Sequence, residues 1–377
     1  MSVTRTTTKL VLPLVLGAPA AALAAGGSGW GLLNLPEGVT PISREAYDLH
    51  MLILWICVAI GVVVFGAIFV SILKHRKSKG VQPAQFHEST ALEIVWTIIP
   101  FLILVGMAVP ATRALIAMED TSDPDLTIKI TGYQWKWRYD YLDEGIGFFS
   151  NLATPEEQIH GKAPKGPDYL QEVDNPVVIP VGKKVRFLLT ANDVIHAWWV
   201  PDLGGKKDAI PGFVNEWWTR VDKPGVYRGE CAELCGRGHA YMPIVVVAKT
   251  EEEYRQWVAE RKAAAEAEKA AAGRTWSRDE LMARGEAVYR KSCAACHQAN
   301  GEGVPGVFPA LKGGAITTGP VEAHIRIVLN GKPGTAMAAF GPQLSDVDLA
   351  AVITYERNAW GNDTGDVVQP ADIAAAR

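Results

Sequence analysis

Two apolar runs, residues 49–73 and 91–112, are each long enough to cross the hydrocarbon core of a bilayer, which takes about 20 residues of helix. No other feature of the chain restricts its fold as strongly. Within lipid every backbone polar group must be satisfied internally, so both runs are confined to helices and form a transmembrane hairpin. Pro100 and Pro110 fall inside the second run and are tolerable where neighbouring helices pack against them. Lys74, Arg76, Lys77 and Lys79 crowd the short connection, which the positive-inside rule assigns to the cytoplasm. Both ends of the hairpin then face outward from a bacterial plasma membrane, and everything after Arg113 lies on the exported side.

The N-terminus agrees with export. Arg5 and Lys9 precede an apolar stretch, Leu10 to Leu16, and Ala22-Leu23-Ala24 has the form a signal peptidase needs, with cleavage near Ala24 or Ala25. Pro13, Gly17 and Pro19 interrupt a run already too short to be an uncleaved anchor. Glu93, near the start of the second span, reads two ways: as the mouth of a proton path or partner to another subunit, or as a snorkelling acid that suits the helix dipole.

Beyond residue 125 the pattern changes to strands. Leu126, Ile128 and Ile130 alternate with polar residues, and after Gly132 the phase shifts so that Tyr133, Trp135, Trp137, Tyr139 and Tyr141 share a face, which predicts a bulge at Gly132. Further strands are expected over 175–180, 184–190, 225–229 and 243–248, with 142–172 as a long surface loop, giving a β-sandwich or barrel.

That unit carries the densest set of metal donors. Cys231, Cys235, His239 and Met242 lie in one short loop, with His196 upstream. Thiolate, thioether and imidazole together suit a copper electron-transfer site. Two thiolates on a tight loop can bridge two copper ions, His196 and His239 can each cap one, Met242 suits a weak axial position, and the Glu233 carbonyl can reach the second ion. Gly236 and Gly238 would let the loop turn sharply. Zinc is the competing metal, although it would not call for Met242, and a Cys231–Cys235 disulfide is the alternative without a metal. With five cysteines in all, Cys57 and two close pairs, cofactor sites fit better than a disulfide framework.

Glu93-Ile-Val-Trp96-Thr-Ile-Ile-Pro100, Gly132-Tyr-Gln-Trp135-Lys-Trp137, His196-Ala-Trp-Trp-Val-Pro, Lys207-Asp208-Ala-Ile-Pro-Gly212 and the cysteine loop together resemble subunit II of cytochrome c oxidase, from about residue 30 to about 260. The resemblance implies a cupredoxin-like domain with a binuclear copper centre, CuA, that passes electrons to subunit I. It matches Cys231 and Cys235 to the bridging thiolates, His196 and His239 to the imidazoles, Met242 to the thioether and Glu233 to the carbonyl ligand. It further implies that the Glu233 carboxylate helps hold magnesium at the subunit I contact, that Trp135 takes up the electron, and that Glu93 stands at a proton channel. Phe213 departs from the family pattern, where Arg commonly follows the Pro-Gly turn.

A second cofactor module follows. Residues 251–272 are rich in Ala, Glu and Lys and polar nearly all round, which predicts an exposed linker helix, and Ser277 to Glu280 reads as a capping box opening the next one. Cys293-Ala-Ala-Cys296-His297 is a c-type haem attachment pattern, with the cysteines as thioether anchors and His297 as axial ligand to iron. Met337 is the expected distal ligand and His324, taken to be exposed on an amphipathic helix, its rival. The segment resembles a class I cytochrome c, with 349–358 as its C-terminal helix, Ser345 as N-cap, and the Pro309 carbonyl accepting from His297.

The expected organisation is a signal peptide over 1–25, the hairpin over 26–120, the copper domain over 121–250, a linker helix over 251–275 and an all-α cytochrome domain over 276–377. The expected function is electron transfer from cytochrome c, through haem c and CuA, to subunit I of a haem–copper oxidase that reduces oxygen to water and pumps protons. The partners would be subunits I and III, with a soluble or membrane cytochrome c or a quinol–cytochrome c reductase as donor. The alternative is the CuA subunit of a nitric or nitrous oxide reductase. A net charge of −4 without a basic stripe argues against a nucleic-acid partner.

Overall fold

A computed structural model of the chain describes residues 34–82, 85 and 87–377. The signal peptide expected over 1–25 lies outside them. Two apolar helices, α1 (Pro41–Lys74) and α2 (Thr90–Glu119), are long and apolar enough to cross a membrane. Both outrun the apolar windows read from sequence because polar turns extend them beyond the hydrocarbon zone. Thr40 caps α1 by accepting from Ser43 N, and its hydroxyl also donates to Leu203 O at 3.0 Å, tying the helix to the domain above it. Arg44 pairs with Asp222 at 2.5 Å, while Trp218 Nε1 donates to Ala117 O near the end of α2.

That domain is a sandwich of β1 (Leu126–Tyr133), β2 (Lys136–Tyr141), β3 (Ile146–Ser150), a helical turn α3 (Glu156–Ile159), β4 (Val177–Pro180), β5 (Val185–Ala191), β6 (His196–Val200), β7 (Gly205–Ala209), β8 (Asn215–Thr219), β9 (Gly225–Cys231) and β10 (Ile244–Lys249). One sheet runs β3-β2-β1-β5-β8 and the other β4-β10-β9-β6-β7. Ile128, Ile130, Trp137, Tyr139, Phe187 and Leu189 of the first face Ile179, Trp198, Val200, Ile244 and Val246 of the second across one apolar core.

The expected bulge at Gly132 is instead the approach to a hairpin. β1 and β2 pair antiparallel from Ile128 with Tyr141 to Tyr133 with Lys136, and Trp135 sits in the turn, not on a strand face. β3 forms inside the stretch read as loop, because the turn at Leu142–Gly145 folds it back onto β2.

The linker also differs from expectation. α4 (Glu251–Ala272) starts at a Thr250–Glu253 capping box, and its first turns bury Tyr254 and Val258 and pack Trp257 against the sandwich. The Trp257 ring lies 5.1 Å from that of Tyr141. Three apolar residues in one helical stripe therefore make it part of the sandwich's core.

Beyond it α5 (Arg278–Ser292), α6 (Ala294–His297), α7 (Val321–Asn330), α8 (Asp346–Asn358) and α9 (Pro370–Ala376) form the all-α unit. Ser277 and Ser345 cap α5 and α8 as expected. α5 crosses α8 at Gly285, where any Cβ would strike the Ala351 carbonyl.

Candidate copper and haem sites

The donor loop leaves β9 at Cys231 and re-enters the sheet at β10, so pairing of β9 with both β6 and β10 holds its ends. His196 opens β6 and is delivered to the loop by that pairing, 35 residues upstream of Cys231. The two sulfurs lie 3.8 Å apart, well beyond a disulfide's ~2.05 Å, so both thiols are free. With metal–sulfur bonds of about 2.3 Å, both can contact one ion, and there is such a position on each side of the line joining them.

The other donors complete each end. His196 Nδ1 lies 3.9 Å from Cys231 Sγ, and the Glu233 carbonyl 3.3 Å from the same sulfur. His239 Nδ1 and Met242 Sδ each lie 3.5 Å from Cys235 Sγ. Two shared sulfurs, two imidazoles, a thioether and a carbonyl thus converge, a soft donor set that fits a copper pair. The Glu233 side chain is exposed.

Around the donors stands a supporting layer that the sequence reading did not identify as such. Asp193 Oδ1 lies 2.9 Å from His196 Nε2, leaving Nδ1 for the metal side. Trp137 Nε1 donates to Met242 O at 3.2 Å and its ring meets that of His196 edge-on at 5.9 Å. Gln134 Nε2 and Trp135 Nε1 both donate to Cys235 O, at 2.9 and 3.1 Å. Gly132 makes room for the histidine: a Cβ there would sit 2.7 Å from His196 Cδ2. Gly236 has φ +111°, as the sharp turn requires, whereas Gly238 serves to let the Trp135 ring lie on the loop.

In the metal-free protein these groups share protons. Burial works against charge on His196, but Asp193 and the Cys231 sulfur outweigh it and raise the imidazole to about 9. Burial also opposes ionisation of Cys231, yet His196 and backbone groups pull its thiol below the ordinary value. Cys235 is pushed up by burial and then by the neighbouring Cys231 thiolate. The first ionisation of the pair therefore belongs to Cys231.

In the helical unit, Cys293 at the N-cap of α6 and Cys296 within it are free thiols, and His297 Nδ1 donates to Pro309 O at 2.9 Å, the bond expected from sequence. Nε2 is then the unprotonated nitrogen, as an iron ligand must be. Met337 lies half-buried in the loop between α7 and α8, where Lys332 N donates to its carbonyl. His324 is not exposed as expected: it is 1% exposed, with Nε2 2.9 Å from the equally buried Glu356 carboxylate. That contact engages Nε2 and leaves the buried Nδ1 without a hydrogen-bond partner among the described residues. Glu93 lies in the first turn of α2 and is exposed. Phe213 is exposed on the turn that follows β7.

Residues 126–249 match the family described as cytochrome C oxidase subunit II, periplasmic domain, and residues 28–113 its transmembrane domain. A cytochrome c oxidase subunit 2 of Alkalihalophilus pseudofirmus is 35% identical over 342 residues, covering 86% of this chain and 89% of the relative. The chain belongs to the cytochrome c oxidase subunit II family. A probable cytochrome c oxidase subunit 2 of Rickettsia bellii is 43% identical over 222 residues, 59% of this chain and 81% of that one. The periplasmic domain of subunit II from Bradyrhizobium japonicum, a solved structure, is 42% identical, with a TM-score of 0.34, covering 38% of this chain and 97% of its own. Residues 280–355 match the family described as cytochrome C oxidase, cbb3-type, subunit III. This subunit II therefore joins the copper-domain fold to a cytochrome c domain, in a membrane protein with an electron-transfer role in a haem–copper oxidase.

Proposed function

We propose that this subunit takes electrons from cytochrome c onto a covalently bound haem c, then onto a binuclear CuA centre, and delivers them to subunit I for reduction of oxygen to water coupled to proton pumping. The observation that carries the reading is the convergence of Cys231, Cys235, His196, His239, Met242 and the Glu233 carbonyl on one corner of the sandwich. When bound, copper and haem supply reversible one-electron storage. The polypeptide supplies a rigid donor cage, so that little moves when charge arrives, and a buried setting that keeps water from the sulfurs.

In this reading Cys231 and Cys235, with the other donors, would hold the copper pair, Cys293 and Cys296 would anchor the haem as thioethers, and His297 and Met337 would ligate its iron. Trp135 takes up the electron through its bond to Cys235 O. The exposed Glu233 carboxylate is free to hold magnesium against subunit I, since an anionic oxygen suits that hard cation. Glu93, an exposed acid in the first turn of α2, would meet subunit I at a proton channel. The hairpin anchors the chain in the plasma membrane with both termini and both redox domains outside, after a signal peptide, with subunits I and III alongside. A soluble or membrane cytochrome c, or a quinol–cytochrome c reductase, is the donor.

Visible, near-infrared and EPR spectra of the purified complex test this directly. The expected result is a low-spin c-type haem together with a mixed-valence signal shared by two coppers. Spectra unchanged by dithionite would overturn it, and a partner that consumes nitric or nitrous oxide instead of oxygen would favour the reductase alternative.

A further inference from the structure

The two redox domains meet along a defined surface, and two contact chains cross it. One starts in the Met337 loop: Gln343, a few residues on, accepts from the Lys136 amine, which also lies over the rings of Phe149 and Phe340 at 5.1 and 5.9 Å. Lys136 follows Trp135, whose Nε1 reaches Cys235 O at 3.1 Å. The other starts at His297, bonded at 2.9 Å to the Pro309 carbonyl; the adjacent Phe308 ring carries the Arg237 guanidinium at 5.6 Å, and Arg237 stands two residues after Cys235. A chain from the loop that carries Met337 and another from His297 therefore lead to the same copper-loop residue, Cys235. Asp174 and Lys291 pair across the same surface at 2.7 Å, and Arg138 donates to Pro342 O at 3.3 Å.

The linker helix enforces this arrangement. Its Arg261 and Lys262 bond Asn175 and Glu144 of the sandwich, while Glu268 accepts from both Arg284 and Ser345 of the cytochrome domain. Burial lowers the Lys136 amine to about 8 against the pull of Asp193 and Asp174, as for a group enclosed between two domains.

We propose that Lys136 and Arg237 are positioning residues that lock the cytochrome domain onto the copper domain and so set the rate of electron transfer between them. This rests on the haem-to-copper reading above. Each transfer moves one electron, lost by ferrous haem and gained by the copper pair, with no bond made or broken.

The test uses the intact oxidase complex. A zero-length carbodiimide should join Asp174 to Lys291, read by mass spectrometry, and haem-to-copper transfer after flash reduction should not depend on ionic strength. Lys136→Met with Arg237→Gln should lower the cross-link yield severalfold and slow haem-to-copper transfer severalfold. Gln343→Leu removes the Lys136 contact from the other domain and should slow transfer in the same direction, while Lys136→Arg should rescue. Absence of the cross-link in the unaltered complex, or a double variant with unaltered cross-linking and transfer, would overturn the proposal. Missing haem or copper signals would instead sink the functional reading, and the cross-link would still decide the docking.

Discussion

The Asp193 carboxylate holds His196 by its outer nitrogen at 2.9 Å, so the inner nitrogen is the one presented to the sulfurs. A carboxylate in this position fixes both tautomer and ring orientation. Asp193→Asn should weaken copper retention by about 10–100-fold, measured by competition with a chelator, while the haem spectrum stays unchanged. Equal retention in the variant would remove Asp193 from any supporting role.

The same pair predicts a pH dependence in copper-free protein. The folded imidazole titrates near 9, above its ordinary 6.5, so its stabilising effect is complete below about 6.5 and is lost as pH rises through 9. Denaturant unfolding of the copper-free chain should therefore show a stability loss between pH 7 and 10 that Asp193→Asn diminishes. Parallel pH profiles for the two proteins would refute the linkage.

A Cβ at Gly132 would meet His196, the candidate ligand that lies farthest from the loop in sequence. Gly132→Ala would drive a methyl into the His196 ring and should cost about 1–3 kcal/mol, with an altered near-infrared copper band as the site-specific readout. An unaltered band would mean the ring relaxes freely.

His324 and Glu356 form a buried pair whose partners depend on each other, at 1% and 3% exposure. His324→Leu alone should destabilise the cytochrome domain by about 3–5 kcal/mol, because it strands a buried carboxylate, whereas His324→Leu with Glu356→Leu should recover most of the loss. Thermal unfolding followed in the haem band gives the comparison.

Trp257→Ala should destabilise the copper domain by about 3 kcal/mol, the low end for removing an aromatic, since the ring is half-buried. Calorimetry should register the loss in the copper domain. A loss confined to the cytochrome domain would contradict the packing described for α4.

The hairpin and the cysteine loop were legible in the sequence because each is local: apolar length decides one, and adjacent soft donors announce the other. Asp193, Trp137 and Gln134 were not, because their roles depend on which strands pair, and no spacing encodes that a turn at Gln134 brings two side chains onto Cys235 O. The hairpin at Trp135 was mistaken for a bulged strand because alternation on its two sides is identical to alternation along one. His324 was misjudged for a related reason: a lone histidine on an amphipathic helix shows no sign of the acid that meets it from α8. The linker's polar average likewise hid its stripe of Tyr254, Trp257 and Val258.

An α-helical linker also imposes a rotational rule that a coil would not. Each residue of α4 advances the chain by about 100° as well as about 1.5 Å. Adding or deleting one alanine before Glu268 would swing the whole cytochrome domain a quarter of the way round, carrying Phe308 and Gln343 away from the copper loop. The length of α4 is thus counted in turns, and only insertions that restore its phase would return the haem domain to the same face.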